Sequence, residues 1–488
     1  MPSDIPSIAK PIRAPALLGA VLLGATVLRV AAALRRPLQV DEGYSLHLAA
    51  LPINQGLSAV ATLDVHPPLF LLVTHALHSV GVSDIGMRLI MAALGVASVG
   101  MFYGIVRAWH GEHVALIAAA FAAFMPSLIF YDTMIRMYAP FDAFAVATFL
   151  LLSFLYTRED LTVAQRRALW CGWAFACGAM IQTLYLGFFV IAAQLGYAAL
   201  VRRDGLVRSL IGAAIACLTW LPQLPTFLNQ LPRGGLAFPF YAQHQLAALF
   251  ELPGQATIAV QTHGAGLVVV LASLFAWAWI AISLAVGLRG NAASVAIWMG
   301  VPALLTLAYS AIAHKLLYTD RYYLLFAYAL CALTAVALVR ATARRTNLGW
   351  ACGVVAGATV GVLGCAYTFD DRLYTADWPH IAQLLGERTQ PRDLIVMEQG
   401  SPFFVLERGP QLGRHPLILV FHRGQVAPTL DLVKPFRRVW LLLFQSGPVD
   451  PNADLVVGFE KRYRVAGLWA FERWLPAENA TVVLFVQK

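Results

Sequence analysis

The residues able to do chemistry stand in a few short stretches. Asp41-Glu42 sets two carboxylates side by side after the first apolar run. Tyr131–Asp142, read YDTMIRMYAPFD, interleaves Asp132 and Asp142 with Arg136 and with Tyr131 and Tyr138. His66 precedes Pro67-Pro68, Arg88 opens another apolar run, and His314, Lys315, Asp320 and Arg321 stand together between two more. A carboxylate within reach of a hydroxyl can take its proton as a general base. Arginine's planar fork matches phosphate oxygens, and a departing phosphate needs cations to take up its charge, not a general acid. Each residue also has a plainer use. Asp41 and Glu42 can be solvated acids, Asp142 can favour a helix N-terminus, and the arginines can snorkel to headgroups.

The rest of the chain decides where such residues would work. Of its 488 residues, 59% are hydrophobic and only 12% charged, against about 25% charged in soluble proteins, and the mean hydropathy is +0.68. This composition describes a multi-pass helical membrane protein. The formal net charge of +9 does not signal nucleic acid, because most basic residues fall in short loops between apolar runs, where they set orientation. The six cysteines lie in or at the ends of apolar runs, with no spacing that suggests zinc or a disulfide framework. No G-x-x-x-x-G-K-[ST] or G-x-G-x-x-G stretch supports nucleotide or dinucleotide binding.

Apolar runs fall at roughly 14–34, 66–80, 87–108, 113–130, 139–156, 168–183, 185–201, 209–228, 265–288, 293–313, 322–339 and 348–366. The run at 14–34 reads as a retained first span, with Arg29 near its outer end and able to snorkel. The run at 66–80 is short and carries Thr74, His75 and His78, so it reads as a helix lying in the interface. Loop charge agrees. If 66–80 does not span, Lys10, Arg13, Arg107, Arg158, Arg166, Arg167, Arg202, Arg203, Arg208, Arg289, Arg340, Arg344 and Arg345 all fall on the cytoplasmic side. If it spans, the positive-inside rule fails repeatedly. The expectation is eleven spans, the N-terminus inside and the C-terminus outside. Asp41, Glu42, His66, Arg88, the Tyr131–Asp142 stretch, Lys315 and Arg321 then share the outer face.

Beyond Tyr367 charged residues become frequent. Short runs at Asp393–Met397, Leu417–Phe421, Val439–Phe444 and Thr481–Val486 read as buried strands, and Asp377–Arg388 as a helix. The expected domains are a transmembrane catalytic domain over 1–366 and a small extracytoplasmic α/β domain over 367–488.

A lipid-phosphate sugar donor suits this layout, since its tail stays in the bilayer and no nucleotide fold is needed. Asp41-Glu42 after the first span, His66-Pro67-Pro68 heading the next helix, and Arg136-x-Tyr138-x-x-x-Asp142 resemble the polyprenyl-phosphate-sugar glycosyltransferases of GT-C fold (glycosyltransferase family 39 type). These include the protein O-mannosyltransferases and the lipid A aminoarabinose transferases. The resemblance covers roughly 14–340, and Asp377-Trp378 is similar to the C-terminal domain of the bacterial branch. It implies that Asp41 is the general base or acceptor-positioning carboxylate, that Glu42 orients it, and that Asp142 is a second acid of the cleft. It implies that Arg88 and Arg136 act on the donor phosphate or brace the carboxylates. Arg321 would be another phosphate ligand, with His66, Tyr138 and Lys315 in the substrate site. The chain departs from the pattern in three places, one being that no stretch is long enough for the β-trefoil lumenal insert of the eukaryotic mannosyltransferases. Met134 stands where many bacterial members carry an acid, with Asp132 nearby, and His66 stands where the aminoarabinose branch has lysine.

The function expected is an integral membrane glycosyltransferase of the bacterial cytoplasmic membrane. It would move one sugar from a polyprenyl phosphate to a cell-envelope acceptor (a lipid, glycan or protein) at the outer face, with inversion. No cofactor is assigned. A divalent metal is left open, for no D-x-D pair stands in the outer loops. The alternative is a transporter or flippase of a lipid-linked substrate, which would place charges at mid-membrane in repeated halves. A structural or assembly protein would leave the acidic pair and the arginines without a use.

Overall fold

The computed structural model describes residues 14–232, 245–258, 267–287, 294–313, 320–344, 347–370, 376–408, 413, 415–445, 449–473 and 479–488. By internal contacts the chain divides into two units, Met1–Leu34 with Ala49–Phe369, and Arg35–Leu48 with Asp370–Lys488.

The first unit is helical. Among the described residues, eight helices are long and apolar enough to cross a membrane, and three shorter apolar helices cover Leu69–Ser79, Glu112–Phe124 and Gly187–Leu200. The chain is a multi-pass helical membrane protein. The first span is α1 (Ala14–Arg35). Three helices follow before the next span: α2 (Val40–Ala50), α3 (Ile53–Thr62) and α4 (Leu69–Ser79). The acidic pair therefore opens a helix and does not sit in a loop. At 11 residues, α4 is about 16 Å long, half of what a bilayer core requires. Two residues of its polar stripe are used internally, while His78 is exposed. The Thr74 hydroxyl donates to the Phe70 carbonyl at 2.9 Å, and the His75 ring donates through Nδ1 to the Ala49 carbonyl at 2.9 Å.

Helix α5 (Asp84–His110) starts on a Ser83 cap, whose hydroxyl accepts from the Gly86 amide, and stops at Gly111 with φ 81°. That left-handed backbone suits glycine. The apolar run at 113–130 is broken in two. Pro126 holds Met125 in an extended conformation, as the residue before a proline tends to be. Helix α6 (Glu112–Phe124) ends there and α7 (Pro126–Tyr131) begins with proline in its first turn. Helix α8 runs Tyr138–Thr157. Helix α9 (Val163–Thr183) opens with a Thr162–Gln165 capping box. Then come α10 (Gly187–Leu200), α11 (Arg203–Trp220) and α12 (Leu224–Gln230). Further helices cover Gln245–Gln255, Leu267–Gly287, Ser294–Ile312, Leu324–Arg344 and Asn347–Phe369.

The second unit is an α/β fold on a five-stranded sheet of order β2-β1-β3-β5-β4. The strands are β1 (Leu394–Met397), β2 (Leu417–Leu419), β3 (Arg438–Phe444), β4 (Tyr463–Phe471) and β5 (Ala480–Gln487). The first three are mutually parallel, and β5 runs antiparallel to β3 and β4. Strand alternation builds two cores. Ile395, Met397, Trp440, Leu442, Val482 and Leu484 pack against Trp378, Ile381 and Leu385 of the helix Trp378–Arg388. Leu394, Val396, Val439, Leu441, Val483 and Phe485 pack on the opposite face with Leu455 and Phe459. Just before β1, Asp393 accepts from Trp440 Nε1 at 2.7 Å and from Arg438 Nε at 3.0 Å. The sequence reading has no counterpart of β4. Most of its residues are exposed, so it lacks the buried apolar run that marks the others.

Candidate active site

Every residue from Tyr131 to Ala139 is buried. A polar segment buried in this way must find its partners inside the protein, and those partners come from distant elements of the first unit. At one end, Arg29 of α1 donates through Nε to Asp132 Oδ2 at 2.8 Å and through Nη1 to the Ala123 carbonyl at 2.9 Å. Arg29 and Asp132 are both 0% exposed. Arg29 therefore does not snorkel. It is held within the bundle because a carboxylate meets it there. Gly95 of α5 makes the room, since a Cβ at that position would run into the Asp132 carboxylate.

At the other end, the Tyr131 hydroxyl donates to Asp320 Oδ1 at 2.7 Å, and the same oxygen accepts from the Arg321 amide at 3.0 Å. Arg321 Nη1 donates to the Tyr138 hydroxyl at 3.4 Å. The Tyr131 and Tyr138 rings meet edge to face with centroids 5.0 Å apart. This brings together Arg321 and Tyr138, which the sequence reading names, with Asp320 and Tyr131, which its site does not include.

Mid-loop, Arg136 is almost wholly buried, and its charge acts on Asp64. Asp64 precedes α4 and was missed as a site residue. Its Oδ1 receives the Val65 amide and faces His66 Nδ1 at 2.6 Å. Burial pushes the Asp64 carboxyl up, but His66 beside it, Arg136 and the Val65 amide bring it down to about 2. The carboxylate thus holds one ring nitrogen of His66. The other, Nε2, is buried without a hydrogen-bond partner among the described residues. The backbone of this turn is also held, because Gln230 Nε2 donates to the Val60 and His66 carbonyls, and the Tyr185 hydroxyl donates to Gln230 Oε1 at 2.8 Å.

Asp142 lies one turn inside α8, 0% exposed, with both carboxylate oxygens lacking a hydrogen-bond partner among the described residues. Arg88 is 4% exposed and donates to the Ala33 carbonyl at 3.4 Å. Lys315 and His314 lie outside the described residues.

Asp41 and Glu42 belong to the second unit. They are the second and third residues of α2, and the Glu42 carboxylate reaches back to accept from the Gln39 amide at 3.1 Å. This is the acidic half of a capping box. Glu42 is 0% exposed and Asp41 is half-buried. Successive side chains on a helix diverge by about 100°, so the two carboxylates point different ways from a regular turn.

Among the described residues, no three His, Cys, Asp or Glu side chains stand close enough to hold a metal ion. Two apolar grooves open in the first unit. One of about 680 Å³ includes Leu252, Trp277, Gly300, Leu304, Phe326 and Tyr323, two residues after Arg321, in its lining. The other, of about 700 Å³, includes Leu69, Ile90, Ala143, Phe175, Ala179 and Ile215.

The class this architecture resembles is the GT-C-type membrane glycosyltransferases, which use lipid-linked sugar donors. Residues 65–225 match the family of dolichyl-phosphate-mannose-protein mannosyltransferases. That segment holds His66, Arg88, Arg136, Tyr138 and Asp142. The fold is similar to that of ArnT from Cupriavidus metallidurans. In its apo state the TM-score is 0.56 at 16% identity, covering 96% of this chain and 97% of that one. With undecaprenyl phosphate bound, the TM-score is 0.54. An oligosaccharyltransferase of Archaeoglobus fulgidus, tethered to an acceptor peptide, gives a TM-score of 0.52 at 13% identity, over 97% of this chain and 74% of that one. A sequence comparison with curated proteins found no match.

Proposed function

We propose that this chain moves a single sugar from a polyprenyl-phosphate donor to a cell-envelope acceptor at the outer face of the bacterial cytoplasmic membrane. The observation that carries this reading is the buried stretch Tyr131–Tyr138, on which the Arg29 pair, the Asp64–His66–Arg136 group and the Asp320–Arg321 turn converge. Such a concentration of cations and acids inside an apolar bundle needs a purpose, and binding a phosphate at the membrane surface supplies one.

Arg136 and Arg321 take up the charge of the departing phosphate, with Arg88 and Lys315 as further cations. His66, whose ring is oriented by the Asp64 carboxylate at Nδ1, is a further polar group of the donor site. Asp41 removes the acceptor's proton as the acceptor oxygen bonds to the anomeric carbon. The bond from that carbon to the phosphate oxygen breaks with inversion, and its electron pair leaves on the phosphate. Glu42 holds the start of the helix that carries Asp41, and Asp142 is a second acid assigned to the reaction. The groove of about 680 Å³ lined by Tyr323 and Phe326 takes the first part of the isoprenoid tail. The undecaprenyl phosphate bound by ArnT supports a donor of this kind. The outer-face placement rests on the basic loops, which gather on the opposite side.

The test incubates purified wild type, Asp41→Asn and Arg136→Gln with extracted lipids and radiolabelled polyprenyl-phosphate sugars. The expected result is transfer or slow donor hydrolysis by wild type, lost in both variants while they remain folded. No turnover of any donor, together with lipid crossing the bilayer in liposomes, would put the flippase reading first.

A further inference from the structure

The geometry points to the C-terminal α/β unit as the element that positions Asp41, through a clamp formed by Phe404 and Glu407 on α2. This inference rests on the reading of Asp41 as the base.

The sequence of α2 shows which way it faces. Val40, Gly43, Tyr44 and His47 recur at i, i+3, i+4 and i+7, one stripe of a helix. Each of the four meets the C-terminal unit. Val40 packs against the core of Trp378, Ile395 and Trp440. Tyr44 stands edge-on to Phe404 with ring centroids 5.1 Å apart, and the His47 ring lies 5.2 Å from the same phenyl. His47 Nδ1 is 2.8 Å from Glu407 Oε1. Gly43 permits the closest approach. A Cβ there would lie 2.5 Å from the Phe404 carbonyl oxygen and 2.9 Å from the Val405 nitrogen. These are backbone atoms, which no rotamer change moves aside. Asp41 flanks this stripe, about 100° round the helix from Val40. The side chain expected to act is thus carried on a helix whose neighbouring face is fixed.

The clamp is itself tied to the sheet. Phe404 belongs to the short helix Phe403–Leu406, which follows β1. The turn between them is pinned by the Glu398 amide on the Leu442 carbonyl and the Gly400 amide on the Val420 carbonyl, each at 3.0 Å. Any shift of Phe404 against the sheet would move α2. Misplacing a reacting group by about 1 Å costs up to about 100-fold in rate, so the clamp sets kcat without touching substrate.

The experiment compares Glu407→Gln, His47→Gln and Phe404→Leu with Asp41→Asn in the full-length protein. Single-turnover rates, the KM for a radiolabelled polyprenyl-phosphate sugar and thermal unfolding are measured for each. The clamp variants are expected to lower the single-turnover rate by about 10- to 100-fold, with donor KM and unfolding temperature unchanged. Exchanging the pair, His47→Glu with Glu407→His, recovers part of the loss. Added to Asp41→Asn, Glu407→Gln costs nothing more, because the residue it positions has already been removed. Wild-type rates in all three clamp variants, alongside an inactive Asp41→Asn, would overturn the inference and leave the base in place. A full further loss in the double variant would also overturn it, by showing a role independent of Asp41. Wild-type turnover by Asp41→Asn itself would instead remove the reading on which the inference stands.

Discussion

Arg29 and Asp132 are 103 residues apart in sequence and meet at 2.8 Å, with side chains 0% and 1% exposed. Each charge is tolerable in the bundle only because the other is there. Removing one partner strands the other. Arg29→Met alone and Asp132→Leu alone should each lower stability by about 3–5 kcal/mol, read from thermal unfolding in detergent. The double variant should recover most of the loss, since two apolar side chains leave no stranded charge. Gly95→Ala should be destabilising as well, because its methyl group needs the space of the Asp132 carboxylate. Additive single and double losses would show that the pair is not coupled.

That pair also shows what the amino-acid sequence conveys and where it stops. Hydropathy marks the spans, because twenty apolar residues are a local property. Short continuous apolar runs mark β1, β3 and β5, because strands buried on both faces are apolar throughout. A lone arginine near the end of an apolar run can equally well snorkel or pair, and only the tertiary position of Asp132 decides. Asp64 was missed for a related reason. It stands two residues before His66 in a segment without helical or strand periodicity, so no pattern predicts that the two side chains meet. The helix α2 was hidden because its contact face, Val40, Gly43, Tyr44 and His47, is not an apolar stripe. It consists of a glycine and aromatic rings that match one partner. Conversely, Arg321 and Tyr138, both named in the sequence reading, do meet at 3.4 Å, each near the start of a helical segment.

The Asp64–His66 contact sets an acid limit. The Asp64 carboxyl lies near 2, against an ordinary value of 3.8. A depressed carboxylate contributes stability above its unfolded value and loses it as pH falls through the folded one. The contribution, roughly 2 kcal/mol from the size of the shift, should be complete above about pH 5. It should fade between about pH 4 and pH 2. Unfolding temperatures of wild type and Asp64→Asn measured across this range should converge towards pH 2. A constant difference between them would mean that Asp64 acts through something other than its charge. At neutral pH, Asp64→Asn should also raise the donor KM, because His66 loses the group that orients its ring.

Asp142 separates stability from function. A carboxylate buried at 0% exposure, with no hydrogen-bond partner among the described residues, is a liability to the fold. Asp142→Asn keeps the shape, and Asp142→Leu removes the polar group altogether. Asp142→Leu should raise stability by about 1–3 kcal/mol, the cost of an unmet buried polar group, and both variants should lower sugar transfer. If transfer is unchanged while stability rises, Asp142 has no part in the reaction. If stability falls sharply in both, the carboxylate is a structural partner in the fold.

The two apolar grooves are of similar size, and one of them is lined by Tyr323, two residues from Arg321 in sequence. A tail whose phosphate sits at Arg321 should enter the groove lined by Gly300 and Tyr323, not the one lined by Ala143 and Ala179. Gly300→Leu tests this gently. A Cβ at Gly300 makes only ordinary contact, 3.6 Å from Ala329 Cβ, and leucine is a better helix former than glycine. The added isobutyl group projects into the groove and displaces lipid. The expected effect is a several-fold rise in donor KM with kcat unchanged, since contacts with a tail far from the reacting carbon are the same in the ground and transition states. Ala179→Leu narrows the other groove and should leave donor KM where it was. The reverse pattern would move the donor tail to the second groove and remove Arg321 as its phosphate ligand. A rise in both would mean that the isoprenoid contacts both grooves.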